Sequence, residues 1–299
     1  MMKIIQKRKL WYTISSTLVA ASIIAYMMWG LNLGIDFTGG ALLEVKFHGQ
    51  VPTVAQVQPE LAKLGLESLT VQPTDQSGMV VRFKNGTEDK HQQTLKALRQ
   101  LAGDKDGKQM EELRFESVGP SIGKELAGNA RNSLLAVAIC IILYIAWSFR
   151  GVSRPVSSWK YGVAAVVAMA HDVVIVIGVF AVLGKFLNVE VNSAFVAALL
   201  TVLGYSVNDT IVVFDRIRER LPKSSENFEN TINTSINQTM VRSLNTSLTV
   251  LMTLLAIVIF GGDSIRYFAL ALFVGIFFGT YSSIFLASPI LIWFEKMKK

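Results

Sequence analysis

Six long apolar stretches constrain the fold of this chain more than any other feature. They cover approximately residues 11–33, 132–149, 161–183, 192–214, 243–260 and 267–293. A helix needs about 20 residues to cross the hydrocarbon core of a bilayer, which is about 30 Å thick. The mean hydropathy of +0.42 and the 17% share of charged residues are also too apolar for one soluble domain. The sequence therefore predicts an α-helical polytopic membrane protein with six transmembrane helices.

The distribution of lysine and arginine predicts how these helices are oriented. Basic residues collect before the first stretch, after the second, after the fourth and at the end of the chain: Lys3, Lys7, Arg8, Lys9, Arg150, Arg154, Lys160, Arg216, Arg218, Arg220, Lys223, Lys296, Lys298 and Lys299. The opposite connections offer little beyond Lys185 and Arg266. Because cytoplasmic loops are enriched in Lys and Arg, both termini are expected to be cytoplasmic. The net charge of +7 then indicates membrane orientation and not nucleic-acid binding.

Residues 34–130 lack long apolar runs and predict a folded α+β domain outside the membrane. Four short segments have the character of half-buried strands: 41–48, 67–74, 79–84 and 112–118. Two segments have a helical pattern that ends at a glycine: 52–65 and 88–103. The resulting order of strand, helix, strand, strand, helix, strand is that of a ferredoxin-like domain between the first and second transmembrane helices.

Three parts of the chain follow from these patterns. Residues 1–33 form a cytoplasmic N-terminus and the first transmembrane helix, residues 34–130 the extracytoplasmic domain, and residues 131–299 a five-helix transmembrane bundle with a cytoplasmic C-terminus. The single cysteine, Cys140, lies in the second apolar stretch, so the extracytoplasmic domain can hold no disulfide. His48 and His91 are predicted to face solvent, without partners at metal-ligand spacing.

A glycine-rich segment, GIDFTGG, joins the first apolar stretch to the first predicted strand. Gly34, Gly39 and Gly40 allow the positive φ values and the close backbone approach that a sharp change of direction needs, and Asp36 lies between them. The segment lacks the Lys-Ser/Thr pair of a phosphate-binding loop. A tight turn at the entry to the domain is therefore favoured over a ligand-binding loop.

The segment GYSVNDTIVVFDRIRER places Asp209 inside the fourth apolar stretch. A centrally placed Asp costs about 2.5 to 3.5 kcal/mol on insertion scales, and less near the membrane boundary. Ser206, Asn208 and Thr210 accompany it and predict a polar interior to which this helix contributes one stripe. One hypothesis is that Asp209 takes up and releases protons. The other is that Asn208 and Asp209 only join helices through hydrogen bonds.

Arg242 offers a basic partner for Asp209. It precedes the fifth apolar stretch at a depth comparable to that of Asp209 on a neighbouring antiparallel helix. A carboxylate near a guanidinium can alternate between a paired ionised state and an unpaired protonated state, which is how a proton relay works. In the alternative interpretation, the Arg242 side chain extends to the membrane surface and takes no part.

His171 and Asp172 lie near the middle of the third apolar stretch. Two ionisable side chains are expensive at that depth, so both are expected in the same polar interior as Asp209. The sequence contains no phosphate-loop, dinucleotide-binding or His-Glu-x-x-His motif. No cofactor and no metal is therefore expected, and an ion gradient is favoured over ATP as the source of energy.

Seven motifs in a fixed order resemble the SecF family, membrane subunits of the bacterial SecDF protein-export complex. They are GIDFTGG, GPSIGKEL, AHDVVIVIG, GYSVNDTIVVFDRIRE, RSLNTSLT, FGG and GTYSSIFLASP. Together they cover nearly the whole chain. The resemblance implies a non-enzymatic bundle of the resistance-nodulation-division superfamily in the bacterial inner membrane.

The same resemblance implies the partners and the role of two residues. The partners are SecD, the SecYEG channel, the translocating polypeptide and the lipid bilayer, with no nucleic acid. Proton flow would assist translocation on the outer face of the membrane. In this family the aspartate of the ND motif and the arginine before TS are linked to proton passage, and these positions are Asp209 and Arg242 here.

Other functions stay open on the residues alone. Asp172 and Asp209 on adjacent spans could serve an intramembrane aspartyl protease, although the chain lacks a Gly-x-Gly-Asp motif. His171 with Ser206 could suggest a serine dyad, without the glycines of a nucleophile elbow. A small-molecule exporter of the same superfamily would need larger exported domains than residues 34–130 provide. A passive scaffold would keep full activity after Asp209→Asn.

Overall fold

The computed structural model describes residues 2–74, 77–84, 86–104, 106–150 and 156–297. Three basic residues used to predict the orientation lie outside these ranges: Arg154, Lys298 and Lys299. The described helices and strands are α1 (Arg8–Trp29), α2 (Ile35–Thr38), β1 (Gly40–Phe47), α3 (Val54–Ala62), β2 (Thr70–Thr74), β3 (Gly78–Phe83), α4 (Glu88–Leu101), β4 (Met110–Val118), α5 (Pro120–Ser148), α6 (Ser158–Leu187), α7 (Ser193–Arg220), α8 (Phe228–Phe260), α9 (Asp263–Ser282) and α10 (Ser288–Lys296). The chain divides into two compact units, one of Met1–Asn32 with Arg131–Lys299 and one of Leu33–Ala130.

Six helices in the described part of the chain are long and apolar enough to cross a membrane, as the sequence predicts. They are Ile5–Trp29, Pro120–Ser148, Ser158–Leu187, Ser193–Lys223, Phe228–Phe260 and Ile265–Lys296. The second and fifth begin well before the apolar stretches predicted at 132–149 and 243–260. Their polar first turns continue the helix beyond the length that the hydrocarbon core requires.

The centre of the bundle is formed by α6, α7 and the last span. These segments bury half or more of their apolar windows, whereas α1, α5 and α8 leave most of theirs exposed. Aromatic packing joins the central helices, since the Tyr161 ring stacks on Phe149 at 5.5 Å between centroids and meets Phe214 edge-on at 5.2 Å. The apolar outer faces of α1, α5 and α8 suit contact with lipid or with another membrane protein.

A five-residue π turn interrupts the last span between α9 and α10. It comprises Ser283–Ala287 and is followed by Pro289 in the first turn of α10. Proline has no N–H for the carbonyl four residues earlier, and its ring displaces that carbonyl from the helical ladder. The wider π turn accommodates the missing hydrogen bond and the displaced carbonyl.

The second unit contains a four-stranded sheet with strand order β2-β3-β1-β4, and each neighbouring pair is antiparallel. Alternate β1 residues point to one face, where they pack with α3 and α4. This core includes Leu43, Val45, Phe47, Val57, Leu61, Leu95 and Leu98. The predicted order of strands and helices is confirmed, with boundaries shifted by a few residues. Both helices are followed by a glycine with positive φ, Gly65 and Gly103.

The prediction for His91 is wrong, whereas His48 is exposed as expected. His91 is only 6% exposed. Its Nδ1 lies 3.2 Å from Glu88 and its Nε2 lies 2.9 Å from Glu112, while the ring stacks on Phe115 at 3.7 Å between centroids. The prediction failed because Glu112 and Phe115 on β4 cover a side chain that the helical charge pattern alone would leave in water.

The GIDFTGG segment forms the tight turn that the sequence predicts. Gly34 caps the single turn of α2, Asp36 lies in that turn, and Gly39 and Gly40 have φ values of +72° and +131°. A Cβ at Gly39 would lie 2.9 Å from the Pro120 Cα, and one at Gly40 would lie 3.0 Å from the Phe83 carbonyl oxygen. These positions need glycine for two reasons, the positive φ and the close backbone approach.

Asp104 organises the loop that leads into β4. Its carboxylate accepts hydrogen bonds from the backbone N–H groups of Lys108, Gln109 and Met110 at 2.9, 3.0 and 3.2 Å. These bonds, that of Gln109 foremost, lower the pKa of Asp104 from its ordinary value of 3.8. A lowered pKa in the folded state contributes stability that is present above the ordinary value and is lost as the pH falls through the folded one.

We therefore predict that Asp104→Ala loosens the start of β4 at neutral pH and has less effect at acid pH, where the wild-type carboxyl is protonated too. The measurement is hydrogen exchange of the 106–118 backbone in the full chain, corrected for the intrinsic rate at each pH. Asp106→Ala is the matched control, because Asp106 is an exposed acid in the same loop. Equal protection in both variants at neutral pH would contradict this account.

Candidate functional site

Buried polar side chains collect on the facing sides of α6, α7, α8 and the last span. They are His171, Asp172, Ser206, Asp209, Thr210, Ser243, Ser247, Thr280, Ser282 and Ser283, each no more than 8% exposed. Within hydrocarbon a polar side chain has no water to bond, so these groups must satisfy one another or the backbone. The cluster contains two carboxyl groups, and the hydroxyls divide between them.

Asp172 is completely buried and accepts three hydrogen bonds. His171 Nδ1 lies 2.9 Å from its Oδ1. The hydroxyls of Ser206 on α7 and Ser282 on α9 both donate to its Oδ2, at 2.7 and 2.8 Å. One carboxylate therefore connects three helices of the bundle.

Asp209 is 4% exposed and is surrounded by the hydroxyls of Ser243, Ser247 and Thr280. The Ser247 hydroxyl on α8 donates to its Oδ2 at 3.3 Å, and the Thr280 hydroxyl on α9 donates to Ser247 at 2.6 Å. This short chain of hydroxyls joins α7, α8 and α9. A chain of O–H groups that can each donate and accept is also a path along which a proton can pass.

The polar stripe predicted on α7 is present in part. Ser206, Asp209 and Thr210 are buried, but Asn208 is exposed and does not belong to the polar interior of this chain. Successive residues on an α-helix point about 100° apart, so Asn208 and Asp209 cannot face the same side. Thr210 instead extends the stripe, since its hydroxyl pairs with Ser283 at 2.8 Å.

Arg242 forms no ion pair with Asp209 among the described residues. Its side chain is exposed, although its positive charge is near enough to act on Asp209 electrostatically. The two helices are neighbours, as the sequence analysis expects, but the rotation of α8 directs Ser243 and Ser247 inward and turns Arg242 to the outer face. Matched depth is therefore insufficient to predict a pair, because facing also depends on helix rotation.

Neither the serine dyad of His171 and Ser206 nor the aspartyl protease pair of Asp172 and Asp209 is assembled. Ser206 donates to Asp172 and not to His171, so the arrangement is not a serine dyad. No hydrogen bond joins Asp172 to Asp209 within the described ranges, and each carboxyl group has its own hydroxyl partners, unlike the shared proton of an aspartyl protease. His171 Nε2 is buried without a hydrogen-bond partner, and the ring stacks on Tyr281 at 6.1 Å.

Five hydroxyls of the cluster were missed by sequence reasoning: Ser243, Ser247, Thr280, Ser282 and Ser283. The signal was weak, because serine and threonine in membrane helices often bond only to a carbonyl of the preceding turn. Ser243 and Ser247 share one helical face, which marks α8 as polar on that side. No group of three metal-ligating side chains occurs among the residues that the structure describes.

Close packing of α7 against α9 positions both carboxyl groups. A Cβ at Gly279 would lie 3.1 Å from Ser206 Cβ and 3.6 Å from Asp172 Oδ2. A Cβ at Gly275 would collide with the Val202 side chain. The two glycines form the small-xxx-small pattern that lets membrane helices approach closely.

Comparison with known families matches most of the chain. The family described as protein export membrane protein SecD/SecF, C-terminal, matches residues 99–297. The SecD/SecF GG motif matches residues 30–51, the segment that contains the turn at Gly39 and Gly40.

Individual relatives agree with these matches. Protein translocase subunit SecF of Thermobaculum terrenum is 42% identical over 306 residues, which cover 99% of this chain and 94% of that protein. Protein translocase subunit SecDF of Bacillus subtilis is 36% identical, and the match covers 96% of this chain but 37% of that longer protein. The crystal structure of Thermus thermophilus SecDF, described as a translocon-associated membrane protein, has a TM-score of 0.84 at 33% identity and covers 99% of this chain and 39% of that one.

We predict that Gly275→Ala destabilises the bundle by about 1 to 3 kcal/mol, because the added methyl group meets the stiff Val202 side chain. The measurement is the thermal unfolding midpoint of the purified protein in detergent. Gly204→Ala is the control, since a Cβ there meets nothing within 4 Å. Equal midpoints for the two variants would show that α7 and α9 can separate without cost.

Proposed function

Because the chain belongs to the SecD/SecF family of protein export membrane proteins, and within it to the SecF subunits, we propose that it couples proton movement through its buried carboxyl groups to protein export. The chain is a subunit of a protein translocase and has a transport role, not an enzymatic one. The finer proposal is that the proton gradient across the membrane supplies the energy for assistance to the SecYEG channel.

The observation that carries this proposal is the position of Asp209. A carboxyl group on an apolar helix, 4% exposed, is costly to insert, and the hydroxyls of Ser243, Ser247 and Thr280 surround it, with Ser247 donating at 3.3 Å. Each hydroxyl can donate or accept, so this environment can serve the carboxyl group in its ionised and in its protonated form. Asp209 can therefore change its charge without leaving a buried polar group unsatisfied, which suits a site that takes up and releases a proton.

Arg242 enters the proposal through the exposed face of α8. Its guanidinium lies outside the polar cluster of this chain, on a helix whose outer face is mostly uncovered. We propose that SecD, or the SecD half in proteins such as the Bacillus subtilis SecDF, covers this face. Arg242 then regulates the protonation of Asp209 in the assembled complex, and Asp172 holds a second proton position.

The extracytoplasmic domain is proposed to act on the translocating polypeptide. Its strand order and the antiparallel pairing of its neighbouring strands support assignment to the ferredoxin-like class. The basic residues on one set of connections support an inner-membrane protein with both termini in the cytoplasm. In this orientation residues 34–130 lie on the outer side, where the polypeptide emerges.

We predict that Asp209→Asn abolishes gradient-dependent export while the protein and SecD accumulate to normal levels. Asparagine fits the same space but cannot take up a proton. The measurement is the export rate of a secreted substrate in cells whose native copy is replaced. Asp215→Asn is the matched control, since Asp215 is an exposed acid on the same helix, paired with Arg218 at 2.7 Å. Wild-type export by Asp209→Asn would reduce Asp209 to a residue that joins helices and would leave Asp172 as the next candidate for a proton site.

A further prediction concerns the charge at position 242. Arg242→Ala should reduce export as Asp209→Asn does, whereas Arg242→Lys should keep part of the activity because the positive charge is retained. The same replacement assay measures both variants, with Arg216→Ala as the control for loss of a neighbouring cytoplasmic arginine. If Arg242→Ala exported at the wild-type rate, the exposed guanidinium would only be reaching the membrane surface.

A further inference from the structure

The π turn in the last span lies next to the Asp172 junction. Ser282 is the final residue of α9, and Ser283 is the first residue of the turn. The Ser288 hydroxyl donates to the Ser283 carbonyl at 3.3 Å and adds a side-chain bond across the turn. Single π turns within helices occur frequently at functional sites, because they mark places where the backbone has more than one favourable arrangement.

Ser282 has two acceptors for one hydroxyl hydrogen. Its Oγ lies 2.8 Å from Asp172 Oδ2 on α6 and 3.1 Å from the Gly279 carbonyl oxygen in its own helix. The Ser206 hydroxyl donates to the same Asp172 oxygen at 2.7 Å. Ser282 can therefore exchange a bond between helices for a bond within its helix without losing hydrogen bonding.

The charge state of Asp172 selects between these two bonds. Both lone pairs of its Oδ2 receive a serine hydroxyl when the carboxylate is ionised. The unpartnered Nε2 of His171 favours the tautomer whose hydrogen is on Nδ1, and that hydrogen donates to Oδ1. A proton arriving at Oδ2 takes one of these positions and donates to the Ser206 oxygen, 2.7 Å away. The protonated oxygen is a weaker acceptor than the carboxylate, so the Ser282 hydrogen turns to the Gly279 carbonyl, which is already within reach.

Ser283 provides a second attachment of the π turn, beside the bond from Ser282 to Asp172. Its hydroxyl lies 3.2 Å from the Ser206 carbonyl oxygen, 2.8 Å from the Gly279 carbonyl oxygen and 2.8 Å from the Thr210 hydroxyl. Ser282 thus fastens the N-terminal edge of the π turn to α6, while Ser283 fastens it to α7. Loss of the Ser282 bond removes the hydrogen bond that joins this edge of the turn to α6, while the hydrogen bonds to α7 remain.

We propose that Ser282 is a positioning residue that links the protonation of Asp172 to the shape of the last span. With Asp172 ionised, the hydroxyl holds the π turn against α6. With Asp172 protonated, the hydroxyl turns to Gly279 and α10 is free to move about the π turn. This step rests on the proposed function, because it needs protons to reach the interior of the bundle.

The titratable groups around Asp172 come from three elements. His171 lies beside it on α6, Tyr281 stacks on His171 from α9, and Asp209 is the other carboxyl group on α7. The α1 helix contributes the neutral Ser15 hydroxyl, 3.2 Å from the Tyr281 hydroxyl. Asp172 and His171 are therefore tested together, with Asp209 varied separately.

The experiment measures the distance between spin labels on the full chain in lipid vesicles. Labels are placed on Lys9→Cys in α1 and Met297→Cys after α10, both exposed, in a Cys140→Ser background. The distance distribution is recorded from about pH 4 to 8, where carboxyl and imidazole groups titrate. We expect a shift of about 2 Å or more with pH, comparable to known helix displacements.

The variants distinguish a positioning role of Ser282 from a general disruption of the fold. Ser282→Ala should show the low-pH distribution at every pH, and Ser282→Thr, which keeps the hydroxyl, should restore the pH dependence. Asp172→Asn should also stay in the low-pH distribution. A pH response in Ser282→Ala or Asp172→Asn equal to that of the parent, or no pH response in the parent, would overturn the proposal.

Asp209→Asn distinguishes this inference from the proposed function. An equilibrium distance does not depend on how fast protons arrive, so Asp209→Asn should keep the pH-dependent shift although export is lost. Export at the wild-type rate by Asp209→Asn would contradict the proposed function and leave the distance result standing. An unchanged distance in every variant, with export lost in Asp209→Asn, would reject only the role of Ser282.

Discussion

The bundle is organised by the need to satisfy polar side chains where no water is available. Asp172 meets this need with donors from two further helices, and the hydroxyls of Thr210 and Thr280 also bond to carbonyls of their own helices, Ser206 and Ile276. The bonds that Asp172 receives from other helices form only if the helices approach closely, which explains why Gly275 and Gly279 lie at the crossing of α7 and α9. Close helix packing and the hydrogen bonding of buried polar side chains therefore depend on each other in this unit.

The two buried carboxyl groups differ in how completely this chain surrounds them. Asp172 receives three donors at 2.7 to 2.9 Å, whereas the Ser247 hydroxyl lies 3.3 Å from Asp209, which is on the side of α7 that faces α8. The outer face of α8 is largely uncovered and carries Arg242. The environment of Asp209 is thus the part of the polar cluster most open to change by a neighbouring protein. This asymmetry favours a division of roles, with Asp172 joining helices within the chain and Asp209 responding to the partner.

The sequence was sufficient to predict the six spans, the order of elements in the α+β domain and the turn at Gly39 and Gly40, because each depends on local periodicity or backbone freedom. It also indicated Asp172 and Asp209 as buried, since charge is rare in apolar helices. It could not give helix rotation, so it left open whether Arg242 pairs with Asp209 or extends to the membrane surface, and it placed Asn208 in the polar interior, whereas both side chains are exposed. His91 failed in the opposite direction, because its cover comes from β4, distant in sequence. In each of these cases the sequence could not show which side chains tertiary packing would bring together.

Energetic magnitudes indicate how the two carboxyl groups would have to act. A proton that moves through 100 mV of membrane potential releases about 2.3 kcal/mol. A hydrogen bond between membrane helices contributes about 0.6 kcal/mol on average, so one proton is sufficient to exchange the Ser282 bond. Moving a two-state equilibrium from 1:99 to 99:1 requires about 5.5 kcal/mol, which is more than that proton supplies at this potential. Two protons release about 4.6 kcal/mol at this potential, so protonation of Asp172 and Asp209 in the same direction comes closer to a complete switch than either alone but does not reach it. The α7 helix connects the two sites, because it carries Asp209 and also Ser206, which donates to Asp172.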